Sequence, residues 1–403
     1  MKPYFKNFFS LILISIFMIS SFNPIINVNA TRVDLIGDKL PIHKISWSPD
    51  GSLIATKTVN NTLKMWDPSD GSLKWSIDFE RPVRTFLWHP QGDRIIVILY
   101  RHSGVSISES HIVLKIVDIA SGIVQKNITF PSSINPFTGS LRPNSNLFAM
   151  SYSFENTTTK KLEYRLEFLD LMTETFTQII STNSTFSSVW FDNGNKLAFL
   201  DGLVDTIYLN IWDASENNIT LVHRLDGVYQ SPNYPSTKPS LSVNPDNTLL
   251  AYGFLYREKD VFTTITKHGV NVFDLTDMNR SIPRLEIESQ ASGLSWKNNN
   301  ELFVGTRENG SRLWNIKDVE FTRDHDVQYF FDIETGINDI EWDRNTERLA
   351  YTISSITGQN ITSIISFDEI SFSRVQSANA EINFTIISLI MISLYYIKRK
   401  SKK

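Results

Sequence analysis

Residues 45–73 read ISWSPDGSLIATKTVNNTLKMWDPSDGSL. Apolar residues alternate on both sides of the Pro49-Asp50-Gly51 turn, and this pattern predicts two antiparallel strands. A second turn begins at Trp66-Asp67, nineteen residues after Trp47. Related markers recur about seven times along the chain, at Trp88-His89-Pro90-Gln91-Gly92, Arg142-Pro143-Asn144, Trp190, Asn244-Pro245-Asp246, Trp296 and Trp342-Asp343. The chain is therefore built from a repeated unit.

A repeat of this length is typical of units that bury their apolar faces only by stacking on their neighbours. The sequence predicts an all-β, seven-bladed β-propeller over residues 31–374, with four-stranded antiparallel blades whose strands are named a to d in chain order. Residues 31–36 resemble a spare strand d, which we expect to pair with the last blade and close the ring. Blades 2, 3 and 5 are longer between their markers, which predicts extended connections from strand b to strand c.

The first thirty residues predict export. Lys2 and Lys6 precede an apolar run over 8–22, and Val28-Asn29-Ala30 resembles a signal peptidase site. We therefore interpret residues 1–30 as a signal peptide, and an uncleaved anchor helix is the alternative. Both interpretations place the domain that follows outside the cytoplasm.

The C-terminal residues predict a membrane anchor. A stalk over 375–381 leads into an apolar segment over 382–397, interpreted as a transmembrane helix, and the basic tail 398–403 follows. Basic residues beside an apolar segment mark its cytoplasmic side. The predicted location is the cell membrane, with a single pass and the propeller outside the cytoplasm.

Charge and cysteine content exclude several classes of partner and site. Residues 1–30 and 382–403 hold seven Lys and Arg and no Asp or Glu, so the remainder has 32 basic and 43 acidic residues and a net charge of −11. A nucleic-acid partner is not expected, because a phosphate backbone requires a basic surface. The chain has no cysteine, which excludes disulfides and thiolate metal sites.

The repeat resembles that of the WD-repeat propellers. The matching residues in the first unit are Ser48-Pro49-Asp50-Gly51, Ile54-Ala55, Trp66-Asp67 and Gly71. The Gly-His pair that this family places before strand a is missing, so its buried His-Ser-Trp-Asp network is not expected. The turn also resembles that of periplasmic TolB-like propellers. Both resemblances imply an interaction scaffold.

No motif in the chain predicts catalysis. There is no Gly-x-Ser-x-Gly elbow, His-Glu-x-x-His helix or phosphate-binding glycine loop. Asp324-His325-Asp326 is interpreted as a solvated turn, because alternate residues of one short stretch do not converge on an ion. We assign no catalytic residue, no cofactor and no metal ligand.

The most informative candidate residues fall on one face of the predicted ring, where the b–c and d–a connections emerge. Tyr and Arg are enriched at binding hot spots. The binding-face candidates are Arg101, His102, Tyr229, Tyr234, Tyr256, Arg257, Lys267 and His268. Ordinary solvated loops are the alternative interpretation of these residues.

Asn-x-Ser/Thr sequons suit a glycosylated surface protein. The glycosylation candidates are Asn60, Asn127, Asn156, Asn183, Asn218, Asn279, Asn309 and Asn360. On the predicted binding face, the long connections of blades 2 and 5 carry no sequon. A partner would therefore find these two connections free of glycans.

These observations favour a membrane-anchored, extracytoplasmic, monomeric scaffold that binds a protein or a surface glycan and catalyses no reaction. The alternative is a propeller hydrolase or lactonase with a hard cation at the mouth of the central channel. A structural shell component is the third possibility.

Overall fold

The computed structural model describes residues 31–35, 41–59, 61–99, 112–130, 135–156, 158–182, 185–203, 206–226, 241–259, 264–277, 282, 284–287, 289–307, 311–316, 330–331, 336–353 and 361–366. All secondary-structure elements within these ranges are β-strands, numbered from β1 (Thr31–Leu35) to β28 (Ile361–Ser366). The described strands form seven four-stranded antiparallel sheets.

Six of the seven sheets contain four strands that are consecutive in sequence. Blade 1 contains β2 (Ile42–Trp47), β3 (Ile54–Thr58), β4 (Thr62–Trp66) and β5 (Leu73–Asp78). Blade 2 contains β6 (Val83–Trp88), β7 (Arg94–Leu99), β8 (Ile112–Asp118) and β9 (Val124–Phe130). Blade 3 contains β10 (Asn135–Leu141), β11 (Leu147–Glu155), β12 (Leu162–Asp170) and β13 (Phe176–Thr182).

The next three sheets follow the same order. Blade 4 contains β14 (Thr185–Trp190), β15 (Lys196–Leu203), β16 (Thr206–Asp213) and β17 (Asn218–Asp226). Blade 5 contains β18 (Leu241–Val243), β19 (Leu249–Lys259), β20 (Thr264–Asp274) and β21 (Leu285–Ile287). Blade 6 contains β22 (Ala291–Trp296), β23 (Glu301–Thr306), β24 (Ser311–Asn315) and β25 (Phe330–Phe331).

The seventh sheet is composite and joins the two ends of the described chain. It contains β26 (Ile337–Asp343), β27 (Arg348–Ile353), β28 and, as its outer strand, β1. The register pairs Thr31 with Ser366 and Leu35 with Thr362. The expected closure of the ring by residues near 31–36 is therefore confirmed.

The first strand of each sheet lies beside the first strand of the next, so these strands surround the centre of the ring. We call the side that carries the a–b and c–d turns the turn face, and the opposite side the loop face. At the turn face, Gly51, Gly92 and Gly194 adopt positive φ angles of 71°, 73° and 69°. Glycine suits this left-handed conformation because it has no Cβ.

The hydrophobic core is divided into layers between neighbouring blades rather than gathered in one centre. One layer joins blades 1 and 2 through residues such as Leu63, Phe86 and Val97. The layer at the closing seam joins β1 and blade 7 to blade 1, with Leu35 and Ala350 in the same cluster as Trp66. Each layer requires both of its blades, so a blade cannot bury its apolar surface alone.

Tryptophans at the end of strand a also connect neighbouring blades. The Trp47 indole N–H donates to the Glu341 carbonyl at 3.2 Å, and the Trp88 indole donates to the Ser46 carbonyl at 3.2 Å. Trp190 and Trp296 make the equivalent bonds. In each case the acceptor belongs to the preceding blade, so the bond fixes the relative position of two sheets.

Two expectations from the sequence need correction. The expected fold class included an N-terminal signal peptide and a C-terminal transmembrane helix. No helix in the described ranges has the length and apolarity needed to cross a membrane. The described fold is therefore all-β alone. The segments interpreted as signal peptide (1–30), stalk (375–381), transmembrane helix (382–397) and basic tail (398–403) lie outside the described residues.

The second correction concerns the extra residues of blades 3 and 5, which were expected in loops. They lengthen the strands instead, to nine residues each in β11 and β12 and to eleven each in β19 and β20. Antiparallel pairing continues along the whole length of β19 and β20. Hydrogen bonds between the two strands replace the hydrogen bonds that their backbone groups would otherwise make to water. The corresponding connection of blade 2 lies outside the described residues.

The closing seam can be tested with a glycine pair. A Cβ added at Gly51 would overlap the Asp343 carboxylate of blade 7, whereas at Gly92 the nearest atom is Pro49 Cδ at 3.6 Å. Alanine imposes the same backbone strain at both positions. We expect Gly51→Ala to lower the free energy of unfolding by about 1–3 kcal/mol more than Gly92→Ala, as measured by denaturant titration. Equal losses would contradict the close packing of blades 7 and 1.

Candidate functional site

Four of the eight binding-face candidates lie on the long hairpin of blade 5. The register pairs Tyr256 with Lys267, and Arg257 with Thr266. Directly opposed residues share one face of a hairpin and successive residues alternate, so His268 lies on the other face from Tyr256 and Lys267. Lys267 and His268 are partly buried. The structure therefore divides these candidates between two faces rather than joining them in one surface.

The other four candidates, Arg101, His102, Tyr229 and Tyr234, lie outside the described residues. Of the sequons, Asn127 and Asn218 are exposed on the outer strands of blades 2 and 4. Asn156 lies in the turn of the blade 3 hairpin, where its Oδ1 accepts the Thr158 and Thr159 N–H groups. Asn60, Asn183, Asn279, Asn309 and Asn360 lie outside the described residues.

The sequence did not predict a charged group at the centre of the ring. A cavity of about 770 Å³ is lined mainly by the first strands of blades 1, 5, 6 and 7. Its lining includes Ser46, Ser242 and Ser295, together with Lys44 of blade 1 and with Asp339 and Glu341 of blade 7. We call Lys44, Asp339 and Glu341 the seam triad, because they lie on the two blades that close the ring.

The two carboxylates of the seam triad bind the backbone of β2. Asp339 Oδ2 accepts the Ile45 N–H at 3.1 Å, and Glu341 Oε2 accepts the Trp47 N–H at 3.0 Å. The Ser46 hydroxyl donates to the other oxygen of Glu341 at 3.3 Å. The inner edge of β2 pairs with no strand of its own sheet. The carboxylates thus satisfy N–H groups that would otherwise be unpaired.

Lys44 extends in the other direction, toward blade 2. Its ammonium donates to Thr85 Oγ1 at 3.1 Å and to the Phe86 carbonyl at 2.8 Å. The same ammonium lies 5.0 Å from the centroid of the Phe86 ring. The seam triad therefore connects three successive blades, 7, 1 and 2.

The environment of the seam triad shifts its protonation equilibria. Burial raises the pKa of Asp339 to about 6, although Lys44 acts in the opposite direction. Burial, followed by the charge of Asp339, raises the pKa of Glu341 to about 7. Burial lowers the pKa of Lys44, and the two carboxylates partly offset that effect. Removal of these groups from water disfavours every charged form.

At the turn face an ion pair crosses the cavity. Arg344 Nη1 of blade 7 lies 2.9 Å from Asp192 Oδ2 of blade 4, and both residues line the cavity. The backbone N–H of Asp192 also donates to Asn247 Oδ1 of blade 5 at 2.8 Å. Both side chains of the ion pair are largely exposed, so we expect it to contribute less than about 1 kcal/mol.

The described residues contain no cluster of three or more His, Cys, Asp or Glu side chains that could hold a metal ion. The carboxylates of the seam triad accept backbone N–H groups, which is a structural use of their oxygens. Local sequence patterns could not reveal the triad, since its members lie on β2 and β26, whose contacts join residues 294–295 positions apart in the chain.

No family model and no curated protein sequence matches the chain. Solved structures do match. The chain resembles the structure titled U3-55K with a TM-score of 0.59 and 12% identity, over 83% of this chain and 98% of that one. It resembles the RRP9 WD40 repeats with the same TM-score and identity, over 84% of this chain and 97% of that one. The fold is that of the WD-repeat propellers, as the sequence resemblance indicated.

Titration of Glu341 should be visible in stability. Its folded-state pKa of about 7 exceeds its ordinary value of 4.5, so the folded state binds more protons between these values. Stability from this group is therefore present below pH 4.5 and is lost as the pH rises toward 7. We expect Glu341→Gln to remove part of this decline, and to gain about 1–3 kcal/mol relative to wild type between pH 4.5 and pH 8.

Denaturant titrations of the full chain at several pH values measure this difference. Glu216→Gln, at an exposed position on the turn face, serves as the control and should follow the wild-type profile. A constant difference between Glu341→Gln and wild type at all pH values would show that Glu341 does not titrate in this range.

Proposed function

We propose that this chain is an interaction scaffold that binds a protein or a surface glycan through its loop face and catalyses no reaction. One observation carries the proposal: the hairpin of blade 5 extends well beyond its neighbours. Strands β19 and β20 have eleven residues each, whereas β15 and β16 of blade 4 have eight each and β23 of blade 6 has six. Three to five additional residues in an extended strand project the hairpin by roughly 10–17 Å beyond its neighbours.

Within the part of the chain that the structure describes, the outer part of this hairpin pairs only with itself. Strand β18 pairs only with residues 250–252 of β19, and β21 pairs only with residues 268–270 of β20. Among the described strands, residues 253–259 therefore pair with β20 alone. Unpaired strand edges can accept another chain by strand addition. The register also places Tyr256 beside Lys267 in this region, and such residue types suit binding.

We further propose that the scaffold acts outside the cytoplasm as a membrane-attached monomer. The support comes from sequence: the basic and apolar residues within 1–30, the apolar segment 382–397 and the basic residues after it. The sequons at the exposed residues Asn127 and Asn218 are consistent with this location. The acidic balance of the chain favours basic or neutral partners over nucleic acid.

A propeller hydrolase is the second candidate function. The seam triad supplies carboxylate oxygens in a cavity, as a hard cation would require. Both carboxylates already accept backbone N–H groups and lie beside Lys44. We therefore favour a structural role for these groups. Thermal unfolding with and without added Ca²⁺ distinguishes the two candidates, because a cation site would raise the melting temperature.

Shortening of single hairpins tests the scaffold proposal. One variant of the full chain has β19 and β20 reduced to the length of β23, and the matched control has β11 and β12 reduced in the same way. We expect crosslinked partners captured from source membranes to be lost only with the blade 5 variant. Partners retained by that variant, or lost equally with the control, would contradict binding through the blade 5 hairpin.

A further inference from the structure

Lys57 is a buried cation for which the described residues supply no counterion. It lies in β3 of blade 1 with 9% of its surface exposed. Within the described part of the chain its ammonium has no hydrogen-bond or ion-pair partner. Removal of a charged group from water is unfavourable when no opposite charge compensates it. Such a group therefore calls for an explanation beyond folding.

The position of Lys57 follows from the register of blade 1. Lys57 pairs with Lys44, and directly opposed residues project from the same side of a sheet. The Lys44 ammonium contacts Thr85 and Phe86 of blade 2. Lys57 therefore faces the interface between blades 1 and 2, close to the end of β3 at the loop face.

Further cations surround this position. Burial, followed by the positive charges of Lys44 and Arg84, lowers the pKa of Lys57 to about 8. Partial removal of its ring from water, followed by the charges of Lys57 and Arg307, lowers the pKa of the neighbouring His43, although much of the residue remains exposed. We call His43, Lys44, Lys57 and Arg84 the basic cluster. Its members lie on β2, β3 and β6, toward the loop face.

Other lysines of the chain show what is missing at Lys57. Lys74 lies 2.8 Å from Asp67, Lys115 lies 3.1 Å from Glu80, and Lys126 lies 2.9 Å from Glu174. Each of these lysine side chains is more exposed than Lys57 and has a carboxylate beside it. Within the basic cluster, Lys44 interacts with Asp339 and Glu341, and Arg84 also makes other contacts. Lys57 is the member whose charge remains uncompensated in the described residues.

We infer that the basic cluster binds an oxyanion, with Lys57 as its principal cation, at the loop-face end of the interface between blades 1 and 2. The inference rests on the loop face being the binding face, as proposed above. An oxyanion would supply the counterion that Lys57 lacks, and charge-assisted hydrogen bonds of this kind are roughly twice as strong as neutral ones. His43 is exposed beside Lys57 and supplies a second donor at the entrance. The oxyanion is either free phosphate or a carboxylate of an acidic peptide segment.

Thermal unfolding of the full chain tests the inference at constant ionic strength. Lys57→Met keeps the length of the side chain and removes its charge, and Lys74→Met, at an exposed position of the same blade near the turn face, is the control. Without added anion, we expect Lys57→Met to raise the melting temperature by about 2 °C, since an uncompensated charge is removed. Lys74→Met should not raise it.

Inorganic phosphate and a hexaglutamate peptide are then added separately and their affinities measured by calorimetry. We expect at least one of them to bind wild type and the Lys74→Met variant equally, with at least tenfold weaker binding to Lys57→Met. Binding of phosphate identifies a free anion as sufficient, and binding of the peptide alone identifies an acidic segment as the source.

Binding of neither probe, or equal binding to wild type and Lys57→Met, would overturn the inference. A melting temperature lowered by Lys57→Met would do the same, because it would give Lys57 a purely structural role. These outcomes are distinct from failure of the scaffold proposal, which concerns partner capture by the blade 5 hairpin and does not depend on phosphate binding.

Discussion

Closure of the ring is the constraint on which the rest of the structure depends. The composite sheet pairs β1 with β28 and so connects parts of the chain that are more than 300 residues apart. Each hydrophobic layer lies between two blades, so an open ring would expose apolar surface at the seam. The chain contains no cysteine, and strand pairing performs the closure that a disulfide could otherwise perform.

The seam also has the most unusual electrostatics among the described residues. Asp339 and Glu341 bind the inner edge of β2, and Lys44 carries the connection on to blade 2. The two carboxylates therefore fix the position of β2, although burial disfavours their ionised forms. Lys57, which pairs with Lys44 in the register of blade 1, is likewise a charge held out of water, and no described residue supplies its counterion. The seam and the Lys57 side chain thus lie on the two opposite sides of blade 1.

The sequence predicted much of this fold because turn chemistry is local. The Ser48-Pro49-Asp50-Gly51 turn identifies its own strands, and the resemblance of residues 31–36, ahead of the first strand a, to a spare strand d was sufficient to predict the closing strand. The long spacing between the markers of blades 3 and 5 instead suggested loops, since polar strands that extend beyond a core lack the apolar alternation of buried ones. The seam triad and the basic cluster escaped prediction because only the closed ring brings their residues together.

Hydrogen exchange of the full chain tests ring closure most directly. If β1 is an integral strand of the composite sheet, the amides paired within residues 31–35 should exchange as slowly as those of β27, through global unfolding. The amides of residues 254–259 on the outer edges of the blade 5 hairpin should exchange faster. Rapid exchange throughout residues 31–35, with protection retained in β27, would contradict the account, because the ring would then be open at its seam.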